Sequence, residues 1–377
     1  MKFLHLSDLH IGKSVNGFSM LGEQKHAFGQ ILGYIRTMET AAVIIAGDVY
    51  DRALPGAEAV QVFDDLLTAL AGEGVTVLLI SGNHDSPERL GYASRLLAEK
   101  KLFLRGVFGG TLDKIVLTDE YGEINFWLLP FIRPTSMEEA ENSYYEALAA
   151  ILKTADIDFS ARNVLVSHQF YTKAGVAPLR SESEMSPVGG LDGIDAGLIE
   201  GFDYIALGHL HRAQSVGSKH IRYCGSTVKY SFSEWRQAKT VTLVELKAKG
   251  ELTITALPIT PIHDMREIKG GIEKLTSSDI ASLADREDYL RVILTDEEEI
   301  IDPMNKLRSV YPNIMSLDFD NTRRGVDIST IKTELETLER LSPYDLFREF
   351  FLEVQGAVMN EAQAEIAAKL MEEEIEI

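Results

Sequence analysis

Residues 2–10 read Lys2-Phe3-Leu4-His5-Leu6-Ser7-Asp8-Leu9-His10, a short apolar run that ends in polar residues able to bind metal. A run of this length is typical of a strand that is buried on both faces of a sheet. The polar residues follow the carboxyl end of this strand, which is where α/β sheets place their functional groups. This stretch therefore predicts an α/β fold with a site at the strand end.

The same pattern recurs four times further along the chain, and each apolar run again stops at Asp, Asn or His. The further runs, each with its polar end, are 42–46 with 47–51, 75–80 with 81–85, 163–166 with 167–168, and 204–207 with 208–211. Because the carboxyl ends of parallel strands meet at one edge of a sheet, we expect these polar residues to lie together.

Segments of helical periodicity separate the first three runs, at residues 24–38 and 57–71. Alternating strands and helices predict right-handed crossovers and a sheet covered on both sides. Residues 114–131 and 240–257 instead resemble hairpins, since each joins two apolar runs through a short turn.

The length of 377 residues predicts two or three domains. Prolines at 258 and 261 favour a boundary there, because proline ends strand pairing. We predict a main domain at 1–264, a small α+β module at 265–328 and a helical segment at 329–377. The last segment has an apolar stripe, which either packs on its own domain or binds a partner, formed by Leu346, Phe347, Phe350 and Phe351.

The composition limits the class of protein. The formal net charge of -21 argues against a chain that wraps nucleic acid by counterion release alone, although residues 209–239 are locally basic. The chain has no apolar run near the length of a membrane span and no secretory leader pattern, so we expect no membrane partner. A single cysteine, Cys224, fits a reducing compartment, and we expect a cytoplasmic protein.

The polar strand ends together offer carboxylate, amide oxygen and imidazole donors but no thiolate. The seven candidate metal ligands are Asp8, His10, Asp48, Asn83, His168, His209 and His211. Such donors suit Mn²⁺ first, with Fe or Zn²⁺ as alternatives. Seven donors are too many for one ion with an open position and fit two ions, with Asp48 as the bridge. His209 and His211 would point to opposite faces of a strand, so the chain must turn at Gly208 if both are ligands.

These motifs resemble those of the calcineurin-like metallophosphoesterases: D-x-H, G-D-x-x-D, G-N-H-D, a lone His and G-H-x-H. The resemblance implies an α/β two-sheet sandwich flanked by helices, with two divalent metals at the strand ends. It also implies that Asp8, His10, Asp48 and His211 bind one metal, and that Asp48, Asn83, His168 and His209 bind the other. By the same resemblance, His84 is a catalytic residue that meets the scissile phosphate or the leaving oxygen, and Asp85 orients it.

Four stretches are similar to the SbcD family, the family of the nuclease subunit of the bacterial SbcCD complex: residues 6–13, residues 47–52 and, after G-H-x-H, residues 223–226 and 230–234. This resemblance implies a capping domain and C-terminal helices after the main domain. It also implies Mn²⁺-dependent exonuclease action on duplex DNA ends and endonuclease action on single strands and hairpins. A homodimer and an SbcC-like ATPase partner are expected, in DNA repair, recombination and replication, with the protein at the nucleoid when on DNA.

The chain departs from the family pattern at three positions. Cys224 and Thr227 stand where prolines are expected, and Asp51 stands where some relatives carry a second catalytic His. The first two changes concern local turn geometry, and the third removes an auxiliary role.

Two other functions stay open at this point. The same metal motifs would serve an enzyme that hydrolyses small phosphodiesters or nucleotides. The chain could also be a largely structural subunit of an ATPase complex, although nothing structural requires all seven ligands together. The sequence Gly12-Lys13-Ser14 resembles the end of a P-loop, but Ser7 occupies the position of its first glycine.

Overall fold

The structure is a computed structural model, and it describes residues 1–133, 143–184, 193–321 and 343–373. Contacts between Cα atoms divide the chain into two compact units, Met1–Asp264 and Met265–Ile377, which are described separately below. The predicted boundary at residue 328 lies outside the described residues. In the described part of the chain, no helix is both long and apolar enough to cross a membrane.

The first unit consists of two large sheets with helices around them. Its strands are β1 (Lys2–Leu6), β2 (Ser14–Val15), β3 (Phe18–Ser19), β4 (Ala42–Ala46), β5 (Thr76–Ile80), β6 (Leu102–Arg105), β7 (Asp113–Asp119), β8 (Gly122–Leu129), β9 (Arg162–Ser167), β10 (Tyr171–Thr172), β11 (Ile194–Asp195), β12 (Tyr204–Leu207), β13 (Gln214–Val216), β14 (Ser218–Tyr223), β15 (Thr240–Leu246) and β16 (Leu252–Pro258). Its helices are α1 (Leu21–Met38), α2 (Ala57–Gly72), α3 (Pro87–Leu90), α4 (Ser94–Ala98) and α5 (Tyr144–Thr154).

Both large sheets have six strands and a parallel centre. The order of the first sheet is β16-β15-β1-β4-β5-β6, and the order of the second is β13-β14-β12-β9-β8-β7. Strands β1, β4, β5 and β6 are parallel in the first sheet, as are β8, β9, β12 and β14 in the second. The predicted hairpins are the antiparallel pairs β7–β8 and β15–β16 at the sheet margins. The five predicted strands with polar ends are therefore divided between the two sheets.

The two sheets pack face to face over an apolar core. Phe3 lies in the same cluster as Ile44, Phe126 and Tyr204, and its ring meets that of Phe126 edge-on with the centroids 5.5 Å apart. Alternate residues such as Leu165 point to the opposite face and join a second cluster with α5. Since the central strands are buried on both faces, their sequences are continuously apolar. The predicted two-sheet α/β sandwich is confirmed.

The second unit contains a three-stranded parallel sheet with short helices. Its elements are β17 (Met265–Gly270), α6 (Ile272–Leu275), α7 (Ser278–Ala281), β18 (Tyr289–Leu294), α8 (Pro303–Arg308), β19 (Ile314–Phe319), α9 (Pro343–Gln355) and α10 (Glu361–Glu373). The sheet order is β17-β18-β19, and Leu290, Val292 and Leu294 of the middle strand lie in its core. Asn360 caps α10, because its side chain accepts from the Gln363 amide at 2.9 Å while Gln363 reaches back to Asn360.

Candidate metal centre

The segments that follow β1 and β4 run side by side beyond the sheet and so fix the first ligands. The Asp8 amide donates to the Gly47 carbonyl at 3.1 Å, and the His10 amide donates to the Asp48 carbonyl at 3.0 Å. The chain also turns after β12, where His209 has φ 108° and its amide donates to the Asp8 carboxylate at 3.0 Å. These contacts bring Asp8, His10, Asp48 and His209 to one end of the sandwich.

One half of the site is formed by Asp8, His10 and His211. One ligand atom from each of the three lies within 4.8 Å of the others, and all three side chains are buried. The Nε2 atoms of His10 and His211 are 3.0 Å apart. Asp48 Oδ2 lies 3.7 Å from His10 Nε2, so Asp48 borders this half.

The other half is formed by Asn83, His168 and His209. Asn83 Oδ1 lies 3.2 Å from His168 Nε2 and 3.0 Å from His209 Nδ1. Asp48 Oδ2 is 3.3 Å from His168 Nε2, and the same oxygen also faces His10. The structure thus brings all seven sequence-predicted ligands together, with Asp48 between the halves.

This donor set fits divalent metal ions. Ligands bound to one ion at about 2.0–2.2 Å lie roughly 3–4 Å from each other, which is the spacing between these nitrogens and oxygens. Among the described residues, buried His10 Nδ1 and His209 Nε2 have no hydrogen-bond partner. The buried thiol of Cys224 lies 3.0 Å from Ser7 Oγ. Ser7 is not one of the predicted ligands.

Burial and neighbouring charges shift the pKa values of the side chains in the site. Burial raises the pKa of Asp8 to about 6. Burial also acts to raise the pKa of Asp48, but His168, His10 and His84 outweigh it and hold that pKa well below its usual range. The Asp48 charge in turn outweighs burial at His168 and raises the pKa of that imidazole to about 9. The centre thus holds Asp48 as a carboxylate even before any cation binds.

The neutral form of His168 has a fixed tautomer. Its Nδ1 lies 2.7 Å from the Ala46 carbonyl oxygen, which only accepts, so Nδ1 carries the proton. Nε2 faces Asn83 and Asp48, so loss of the Nε2 proton gives a lone pair that points to them. A neutral imidazole with a free Nε2 lone pair is the form that binds metal.

His84 lies at the edge of the same site, and its ring meets that of His10 edge-on with the centroids 4.8 Å apart. Its amide donates to Asp48 Oδ1 at 2.8 Å, and its Nδ1 donates to the Asp51 carbonyl at 2.9 Å. Nε2 is consequently the ring nitrogen left for a substrate. His84 is only partly buried, so a substrate can reach it.

The predicted role of Asp85 requires a correction. The partner of the His84 ring is the Asp51 carbonyl, whereas the Asp85 carboxylate accepts from three backbone amides, those of Val49, Tyr50 and Gly82. Asp85 therefore ties together the loops that follow β4 and β5, and the prediction that it directly orients His84 is wrong. Burial and the nearby Asp48 charge raise its pKa to about 6.

A group of residues behind His211 was not predicted from the sequence. Glu234 and Lys239 form a buried ion pair at 2.6 Å, and Glu234 lies 3.3 Å from His211 Nδ1. Ser183 Oγ is 2.9 Å from the same nitrogen. Glu234 belongs to the Tyr230–Glu234 segment that resembles the SbcD family, which was the available signal for its importance.

The predicted partner-binding stripe lies on α9 in the second unit. The ring of Phe347 lies 6.5 Å from those of Phe350 and Phe351, measured between centroids, and the Phe350 side chain is 57% exposed. The side chain of Leu346 lies outside the described residues. Partner binding by this stripe stays a prediction.

Comparison with known proteins defines the class first. Residues 1–213 match the family model of the calcineurin-like phosphoesterases, so this is a metallophosphoesterase. Residues 261–355 match a second model, the type 5 capsule protein repressor C-terminal domain. This class of fold implies divalent metals, and the buried clusters Asp8–His10–His211 and Asp8–Asp48–His168 are candidate places for them.

Two curated relatives define the particular family. The D subunit of the SbcCD nuclease of Staphylococcus epidermidis is 30% identical over 90% of this chain and 91% of the relative. The protein of the same name from Staphylococcus saprophyticus is 29% identical over 98% of both chains. Among solved structures, a dimetal phosphatase from Danio rerio is 13% identical with a TM-score of 0.43, covering 69% of this chain and 99% of that one. This chain belongs to the SbcD family of metallophosphoesterases.

Proposed function

We propose that this protein is the nuclease subunit of an SbcC-like ATPase complex, with two Mn²⁺ ions as its cofactor and DNA as its substrate. Fe and Zn²⁺ are the alternative metals for carboxylate, amide and imidazole donors. The activity would include exonuclease action on duplex ends and endonuclease action on single strands and hairpins, in a homodimer. The observation that carries the proposal is the convergence of seven donors around Asp48, in a chain that is similar to the D subunits of SbcCD nucleases.

The residues of the centre have distinct roles in this proposal. Asp8, His10 and His211 hold one cation, Asn83, His168 and His209 hold the second, and Asp48 lies between them. Two bound cations would supply an activated water and neutralise charge on the phosphate. His84 is fixed through Nδ1 by the Asp51 carbonyl, so Nε2 is the atom that would give a proton to the leaving oxygen.

A cavity beside His211 supports an extended, anionic substrate. Its volume is about 420 Å³, and its walls include His211, Arg212 and Arg236. The Arg236 guanidinium stacks 4.4 Å from the Trp235 ring centroid, which leaves its N–H groups for other partners. Within the described ranges, neither arginine forms an ion pair with a carboxylate, although the chain carries a net charge of -21.

Three other basic residues of the segment 209–239 are occupied within the protein. Lys229 pairs with Asp264 at 2.5 Å, Lys239 pairs with Glu234, and Arg222 donates to Thr242. We therefore assign Arg212 and Arg236 to a second phosphate of a polynucleotide. A small phosphodiester has no group to place there, so this cavity favours the nuclease over the small-molecule alternative.

The first test is cleavage of an end-labelled duplex and a hairpin in Mn²⁺ by the wild type and by Asp48→Ala. Asp64→Ala, an exposed carboxylate on α2, is the matched control. Cleavage that persists in the control and disappears in Asp48→Ala supports a nuclease that uses this centre. A wild type that binds Mn²⁺ yet cleaves no DNA, with or without its ATPase, would contradict the proposal.

The second test separates nuclease from small phosphodiesterase. Arg212→Gln combined with Arg236→Gln should raise KM for a single-stranded oligonucleotide. It should also lower the salt dependence of oligonucleotide binding, the slope of log K against log salt concentration, by about 0.7, since one neutralised phosphate contributes about 0.7 on a single strand. Hydrolysis of bis-p-nitrophenyl phosphate should stay unchanged. Equal losses on both substrates would indicate a damaged centre, and no loss on either would remove the cavity from the proposal. No hydrolysis of any ester by the wild type would favour a structural subunit.

A further inference from the structure

Glu234 is a fully buried carboxylate whose two oxygens have separate partners. Oε2 accepts from Lys239 Nζ at 2.6 Å, and Oε1 accepts from Ser183 Oγ at 2.6 Å. Oε1 also lies 3.3 Å from His211 Nδ1. The carboxylate therefore joins a buried cation on one side to a predicted metal ligand on the other.

Lys239 anchors this carboxylate to the backbone of the metal-binding loop. Its ammonium donates to the His211 carbonyl at 2.9 Å and to Ser226 Oγ at 2.9 Å, and the residue is 7% exposed. Removing such a pair from water costs several kcal/mol per ion, which is offset only when further hydrogen bonds satisfy both charges. Here both charges are satisfied, and both converge on His211.

The contacts of Nδ1 determine the tautomer of His211. Ser183 gives its proton to Glu234, so Ser183 Oγ must accept from His211 Nδ1 across their 2.9 Å contact. Nδ1 thus carries the proton, and the Nε2 lone pair faces His10 Nε2 at 3.0 Å. In its neutral form, His211 is therefore the tautomer whose free nitrogen, Nε2, points into the metal centre.

The two halves of the centre are supported differently. His168 is held by a neutral acceptor, the Ala46 carbonyl, whereas His211 is held through a carboxylate that has its own buried cation. A carboxylate behind a ligating imidazole fixes its orientation and raises its basicity as a metal ligand. The support is therefore stronger on the His211 side.

We propose that Glu234, with Lys239 and Ser183, is a positioning group that sets the metal affinity of the half formed by Asp8, His10 and His211, independently of the half that contains His168. The inference rests on the metal centre of the proposed function but needs no particular substrate.

The test is a titration of metal-free protein with Mn²⁺, followed by calorimetry and by the electron paramagnetic resonance of free Mn²⁺. Glu234→Gln should weaken one of two binding events by about 10–100-fold and leave the other unchanged. Glu182→Gln is the matched control, because it makes the same charge change on an exposed residue of the turn Glu182–Glu184, which also carries Ser183. The control should bind both ions as the wild type does.

Two further variants keep the test decisive if Glu234→Gln folds poorly with Lys239 unpaired. Ser183→Ala removes the hydroxyl that links His211 to Glu234 but removes no charge. Glu234→Gln combined with Lys239→Met removes both buried charges. Each should weaken the same single event. Equal weakening of both events, or wild-type binding in the soluble variants, would overturn the inference. A wild type that binds fewer than two Mn²⁺ ions would instead contradict the proposed two-metal function.

Discussion

Four of the predicted ligands have left-handed backbone conformations that are uncommon for residues other than glycine. The φ angles are 52° at Asp8, 41° at His10, 51° at Asp48 and 108° at His209. Each such residue costs about 1–3 kcal/mol and persists only where its surroundings determine it. Hydrogen bonds between the segments after β1 and β4 supply that support for the first three, and the hydrogen bond from the His209 amide to the Asp8 carboxylate supplies it for His209. The ligand positions are therefore set by the strand ends before any metal binds.

The role of His84 gives a prediction at the residue scale. His84→Gln should leave Mn²⁺ affinity unchanged and lower turnover by about 10²–10⁴-fold, because a positioned proton donor contributes that much. The measurement is DNA cleavage at saturating Mn²⁺ together with a binding titration. His26→Gln, at an exposed position of α1, is the control for loss of an imidazole. Normal turnover with full metal binding would exclude the proton-donor role.

His5 gives a second prediction, on the pH dependence of stability. Burial lowers the pKa of this imidazole from 6.5 to about 3, so the unfolded chain binds a proton that the folded chain rejects. The unfolding free energy should fall as the pH drops below 6.5, by about 2 kcal/mol at about pH 5. In chelator, His5→Phe should lose this part of the pH dependence in urea unfolding, whereas His26→Phe should retain it. An identical pH dependence in His5→Phe would contradict the assignment.

At the scale of elements, the two sheets approach each other closely where β4 and β12 end. A Cβ on Gly208 would lie 1.9 Å from the Ala46 carbonyl oxygen and 2.6 Å from His168 Nδ1. Both are members of the hydrogen bond that holds the His168 tautomer. The contact between the sheets thus depends on a residue without a side chain, at the beginning of G-H-x-H.

Gly208→Ala should therefore move His168 and weaken Mn²⁺ binding, with a lower unfolding free energy. Gly29→Ala is the matched control, because Gly29 lies in α1 with open space around the added methyl group. In the control we expect a gain of about 0.5–1 kcal/mol, since alanine is favoured over glycine inside a helix. Urea unfolding and Mn²⁺ titration measure both effects. A Gly208→Ala protein with wild-type affinity would show that this approach is not needed for metal binding.

At the scale of the whole molecule, charge and apolar surface are unevenly distributed. The chain has a net charge of -21, yet the cavity beside His211 includes two arginines without carboxylate partners among the described residues. In the second unit, α9 and α10 expose large apolar side chains, including Phe350 and Ile366. Exposed apolar residues in such groups are typical of protein interfaces. This distribution favours a complex in which a partner supplies much of the affinity for DNA.

The predicted binding site for the ATPase on α9 can be tested with a matched pair of alanine substitutions. Phe350→Ala, at 57% exposure, should weaken binding of the SbcC-like ATPase by more than about 1 kcal/mol, because buried aromatic anchors dominate interfaces. Ile366→Ala, at 61% exposure on α10, should have a smaller effect. Calorimetry or a pull-down with the purified ATPase measures both. Retained binding after deletion of residues 343–377 would contradict this binding site.

Much of the fold could be predicted from the sequence because its signals are local. The apolar runs predicted β1, β4, β5, β9 and β12 to within one residue at either end, since continuous burial on both faces requires continuous apolar sequence. The seven candidate ligands could be named because their residue types and strand-end positions are visible in the chain. Sheet membership could not be predicted, since pairing depends on partners distant in sequence.

The sequence by itself determined which residues could bind metal, which strands they follow and which family the chain resembles. The tertiary structure decided the contacts that tune them: Asp51 rather than Asp85 holds the His84 ring, and Glu234 stands behind His211. The physical reason is that a buried polar group must find a partner wherever the packed chain provides one. Ser183 and Glu234 meet across 51 residues of sequence, and no spacing or periodicity predicts that pairing.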